Sequence, residues 1–144
     1  MSPPLNRVAL VDTGFWYAVF DERDQHYRDA QSRIDSLLRL KYILPWPVIY
    51  ETLRTRFVRR QTWLRKFEHI LKRPNAIFLD DCTYRAQAMA HTLMHAGARG
   101  RPRSLVDNVL RLVVEDRNVT LHCLFSFNRA DFVDVCSRRR IELI

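Results

Sequence analysis

Apolar residues along this chain fall into two rhythms. Short, largely apolar runs occur at residues 7–11 (Val8-Ala9-Leu10-Val11 at the core), at Tyr42-Ile43-Leu44, at Ala76-Ile77-Phe78-Leu79, at Leu121 to Phe125 and at Ile141 to Ile144. They are too short for amphipathic helices, and turn residues or charges bound them, so they predict strands, residues 7–11 a buried one and Ile141 to Ile144 a possible last one. Between them the spacing changes to three and four. Ala30, Ile34, Leu37 and Leu38 share one face of a helix from His26 to Lys41, and Leu64, Phe67, Ile70 and Leu71 share one face of Gln61–Lys72. Leu105, Val109, Leu112 and Val113 do the same from Ser104 to about Asn118. Phe15–Phe20 and Ala130–Arg138 read as shorter helices. "WPVIYETLRTRFVRR" starts another, with Pro47 in its first turn. Asp80 or Asp81 is expected to cap a helix running to Gly97. Strands separated by helices argue an α/β fold around a mainly parallel sheet. No repeat or linker divides residues 1–144, which read as one domain.

Composition narrows the class. The chain has 144 residues, 47% of them hydrophobic, enough for a real core. No low-complexity segment, signal-peptide h-region or run near the ~20 apolar residues of a membrane span is present, so a soluble, cytoplasmic protein is expected. Three cysteines without a CxxC spacing read as reduced thiols. The net charge of +8 points to a polyanionic partner, nucleic acid before others. The charge is clustered: Arg54 to Arg73 holds eight basic residues against Glu68, and Arg99, Arg101 and Arg103 form a second group. Trp63 and Phe57, interleaved in the first cluster, suit either base stacking or the core. His91 and His95 have a zinc spacing but lack an HExxH glutamate or a third ligand. Without a GxGxxG or P-loop motif, a nucleotide cofactor is disfavoured.

The candidate chemistry begins with Asp12, set between two apolar runs in "VALVDTGFWYAVF". Open α/β sheets place their sites at strand carboxyl ends, where Asp12 falls; a helix-capping role with Thr13-Gly14 is the alternative. Glu51 lies in "IYETLRTRF", within an otherwise apolar helical start, and a solvated helix face competes with a functional role. Asp107 in "RSLVDNVL" also fits a capping box with Ser104. Asn128 in "LFSFNRADF", with Asp131 three residues on, again suits a helix cap.

Taken together, "VALVDTGFWYAVFD", "YETL", "SLVDNVL" and "LFSFNRADF" resemble, in order and over nearly the whole chain, the PIN-domain family of metal-dependent nucleases, many of them VapC-type toxins of toxin–antitoxin pairs. The resemblance implies a three-layer α/β/α sandwich on a sheet of about five parallel strands, with Asp12, Glu51 and Asp107 converging on Mg²⁺ or Mn²⁺. The late acidic position of the family falls on Asn128, which keeps an oxygen but loses a charge; Asp131 is an alternative fourth donor. Hard oxygen ligands suit these ions, which lower the pKa of bound water and offset phosphoryl charge. Arg54, Arg101 and Arg103 are expected to draw in the RNA backbone, and Ser126 and Thr13 to contact phosphate or support the ligands. The implied function is an RNA-hydrolysing endoribonuclease with a cognate antitoxin and a homodimeric state. The alternative is a catalytically decayed PIN-like RNA-binding or scaffold module.

Overall fold

The structure is a computed structural model describing residues 6–95 and 102–144. The calls on Arg99 and Arg101 lie outside the described residues. Along the chain run β1 (Val8–Val11), α1 (Thr13–Phe20), α2 (Tyr27–Leu38), β2 (Lys41–Pro45), α3 (Trp46–Thr52), α4 (Thr55–Val58) and α5 (Gln61–Leu71). Then come β3 (Ala76–Leu79), α6 (Arg85–Met94), α7 (Leu105–Glu115), β4 (Cys123–Phe125), α8 (Arg129–Arg139) and β5 (Glu142–Leu143). The strands form one five-stranded sheet in the order β3-β2-β1-β4-β5, and every pairing is parallel. The fold is therefore α/β, with eight helices among the described residues.

Strand order fixes where a site can form. From β1 the chain steps outward through β2 and β3, then returns to the other side of β1 for β4 and β5. The carboxyl ends of β1 and β4 therefore flank a topological switch point, where helices leave in opposite directions and open a crevice. Ala9 pairs with Tyr42 on one side and with Cys123 on the other, so all residues of β1 are buried. That explains a strand with no polar alternation.

An aromatic cluster packs beside the sheet. Trp16 on α1 meets Phe67 on α5 at 5.2 Å between ring centroids and Tyr42 on β2 at 6.2 Å. Phe57 meets Phe20 at 5.3 Å and Phe67 at 5.6 Å. Phe57 is fully buried, so of its two readings the core one holds; Trp63 packs half-buried against it under the Arg60 guanidinium.

Several boundaries differ from the sequence reading. The helix begun at Trp46 breaks at Leu53-Arg54, where Arg54 is extended (φ −77°, ψ 172°). Thr52 donates its hydroxyl to Val48 O at 2.7 Å, a back-bond that competes with helix propagation. Helix α6 starts at Arg85, later than expected: Asp80 Oδ1 accepts from Cys82 N–H in an Asx-type turn, and Asp81 pairs with Arg85. Leu105 at the start of α7 is exposed and does not face inward. Its first-turn position lies ahead of the buried stripe of Val109, Leu110, Val113 and Val114. Among the described residues, no helix is long and apolar enough to cross a membrane.

Candidate active site

Four separate segments deliver side chains to one cavity of about 560 Å³ at the switch point. Asp12 ends β1, Glu51 lies on α3 directly beyond β2, Asp107 sits in the first turn of α7, and Asn128 precedes α8. All four line the cavity, together with Thr13, Gly14, Tyr17, Ser104 and a rim of charged residues.

Asp12 is 3% exposed and is both a helix cap and part of the cavity wall. Oδ1 accepts the Thr13 N–H at 2.7 Å, capping α1, and Oδ2 accepts the Ser126 hydroxyl at 2.9 Å. Burial pushes its pKa up from 3.8 to about 6; the Asp107 and Glu51 carboxylates push the same way, and the bonds from Ser126 and Thr13 oppose them. Ser126 does not line the cavity wall. It acts through Asp12, and its Oγ also accepts the Asn128 N–H at 3.1 Å, tying the end of β4 to the start of α8.

Asp107 takes part in the capping box its sequence suggested. Its Oδ2 accepts from Ser104 N–H at 3.0 Å, and its own N–H donates to Ser104 Oγ at 3.1 Å. Glu51 is half-buried on the cavity side of a seven-residue helix anchored by fully buried Val48 and Thr52. Asp131 is buried in α8 away from the cavity lining, and Arg111 donates to its backbone oxygen. Arg103 is exposed and does not line the cavity.

The rim was only partly legible. Arg54 was expected; Arg56 was one member of a long basic run; Tyr17, Asp21, Arg23 and Asp24 were not singled out. Arg54 Nε donates to the Tyr17 hydroxyl at 3.1 Å, and that hydroxyl donates to Thr52 O at 3.2 Å. The Arg54 guanidinium also lies 5.3 Å from the Tyr17 ring centroid. Tyr17 thus aims an exposed arginine across the cavity mouth. Arg56 pairs with Asp21 at 2.8 Å, so part of its charge is engaged. Tyr17 lies one helical turn beyond Thr13, the only signal by which it could have been found.

The donors are carboxylates, an amide and the Thr13 hydroxyl, whose buried Oγ1 has no hydrogen-bond partner among the described residues. An orphaned buried hydroxyl beside oxygen donors suits a hard, hydrated divalent cation. No three Asp, Glu, His or Cys side chains among the described residues are gathered tightly enough to ligate one ion directly. Mg²⁺ keeps several waters and engages only one or two carboxylates, so the donor set fits it without a closed protein cage. Comparison with models of known protein families gives no match for this chain, and comparison with curated proteins gives none.

Proposed function

We propose that this chain is a metal-dependent endoribonuclease of the PIN type, a three-layer α/β/α domain that hydrolyses RNA phosphodiester bonds as the toxin of a toxin–antitoxin pair. The observation that carries the reading is the convergence of Asp12, Glu51, Asp107 and Asn128, from four segments, on one arginine-rimmed cavity at the sheet's switch point. The net charge of +8 and the sequence resemblance support it.

Asp12, Glu51 and Asp107, with Asn128 beside them, would hold Mg²⁺ or Mn²⁺. When bound, such an ion eases ionisation of water and offsets charge on the phosphoryl group. The protein's own part is orientation. Thr13 N–H and Ser126 Oγ–H fix the Asp12 carboxylate from two sides. Arg54, aimed by Tyr17, attracts the phosphate backbone toward an acidic cavity that would otherwise repel it. The buried flank of Asp12 keeps bulk water from one side of the site. A homodimer and an antitoxin covering the arginine rim belong to the same reading; light scattering checks the dimer, and a monomer at working concentration counts against it.

The decayed-module reading draws on Asn128, which lacks a charge, and on the tie between Asp107 and Ser104. Calorimetric titration with Mn²⁺ separates the two. The nuclease reading expects binding by the wild type, none or much weaker binding by Asp12→Asn, and tighter binding by Asn128→Asp. Equal heats for wild type and Asp12→Asn would favour the decayed module. A loss of affinity in Asp131→Ala would move the fourth donor to Asp131.

A further inference from the structure

A second cavity, of about 450 Å³, opens beside the acidic one. The two share Gly14, Asp24 and Asn128 in their walls, so they are contiguous. The remaining lining of the second is Gln25, His26 and Phe127. Its chemistry is different: among the described residues, two aromatic rings, two amides and a single carboxylate, against the five carboxylates that line the first.

The aromatic wall is rigidly mounted. The His26 and Phe127 rings stack at 4.3 Å between centroids with planes 4° apart. Phe127 in turn stacks on Phe15 at 5.7 Å and 18°, and Phe15 is fully buried. The loop that presents His26 is braced by its own acids: Arg23 N–H donates to Asp21 Oδ1 at 2.9 Å, and His26 N–H donates to Asp24 Oδ1 at 2.8 Å. Both stacked rings remain half-buried, one from the α1–α2 connection and one from the segment after β4. Exposed Gln25 adds an amide that can both donate and accept.

We propose that this cavity is a nucleobase subsite, in which one base of the substrate RNA stacks on the outer face of His26, whose other face rests on Phe127, while Gln25 meets the polar edge of the base. The inference rests on the RNA reading above and adds the group that reads the strand. Every base has a flat π-face that an aromatic platform can hold, and bases of single strands are read this way. Phosphate is a poorer occupant, because Asp24 lines the wall and, among the described residues, no lysine or arginine does. Contiguity supplies the rest: a phosphodiester in the acidic cavity places a neighbouring nucleoside beside the aromatic wall. His26 holds the base by its face, and the Gln25 amide meets its edge.

Fluorescence anisotropy with a short labelled single-stranded RNA, in Ca²⁺ buffer, tests it. The probe set is the intact strand and the same strand with one abasic nucleotide moved along it. His26→Ala is expected to weaken binding of the intact strand on the order of ten-fold, and His26→Phe, which keeps a flat ring, to restore most of that. At one abasic position the wild type should lose a similar factor and His26→Ala should lose nothing more, the non-additivity of two changes in one contact. Should His26→Ala fail to fold, Gln25→Ala is the second probe, with a few-fold loss confined to that same position. RNA binding by the wild type with His26→Ala unchanged, or with losses that add at every abasic position, overturns the base subsite alone. A wild type that binds no RNA overturns the subsite and the nuclease reading together.

Discussion

Asp12 is ionised at neutral pH against its surroundings, because a buried carboxylate beside two others favours the protonated form. In the metal-free protein the native state therefore holds a proton between pH 3.8 and about 6 that the unfolded chain has released. Asp12's contribution to stability is full below pH 3.8 and is lost as pH rises through about 6. Asp12→Asn removes this dependence. The variant should match wild type near pH 3.5 and exceed it above pH 7 by about 1–3 kcal/mol, the upper end being the full shift and the lower allowing for altered hydrogen bonds. Urea unfolding at several pH values in EDTA checks it, and a destabilised Asn variant at pH 7 would make Asp12 chiefly a helix cap. Ser126→Ala removes a hydrogen bond that lowers the Asp12 pKa. Its stability-against-pH inflection should move upward, at a cost of about 1 kcal/mol.

Helix starts surround the cavity, and capping and chemistry compete for the same side chains there. A Cβ built on Gly14, in the first turn of α1, meets nothing within 4 Å. Gly14→Ala should therefore stabilise by about 0.4–1 kcal/mol while intruding on a wall shared by both cavities. Higher urea midpoint with weaker RNA binding is the expected pair of results; unchanged binding would take Gly14 out of the substrate path. Ser104→Ala removes the Oγ that accepts the Asp107 N–H and should cost about 1 kcal/mol in thermal or urea unfolding, while the backbone N–H of residue 104 still donates to Asp107 Oδ2. At this scale much of the sequence could be read. The β3 limits, the capping box of α7 and the strand-end position of Asp12 follow from short-range rules. What escaped was set by side-chain competition or distance. Asp80 closes a turn where a cap was expected, and Thr52 back-bonds where a helix was expected to continue. Tyr17 gains its role only because the break between α3 and α4 places Arg54 beside it, 37 positions along the chain.

The whole molecule is a parallel sheet whose centre, β1, is also the strand that carries Asp12. Trp16, on the helix that Asp12 caps, ties α1 to β2 and α5 through Tyr42 and Phe67. Trp16→Ala should cost about 3–5 kcal/mol, lowering the urea midpoint and loosening the site with the core; a loss below about 1 kcal/mol would show that the cluster repacks independently. The convergence of Asp12, Glu51, Asp107 and Asn128 is implied by the sequence resemblance; local placement points to Asp12, Asp107 and Asn128, each beside a strand end or helix start, whereas Glu51 lies in the last turn of α3. The aromatic second cavity depends on packing that no local pattern encodes. The proposed hydrolysis of RNA with a divalent ion is measured by following cleavage of single-stranded RNA by wild type and by Asp12→Asn of verified fold, in Mn²⁺ and in EDTA. Cleavage is expected only by wild type with Mn²⁺; cleavage in EDTA, or by folded Asp12→Asn at the wild-type rate, would overturn the proposal.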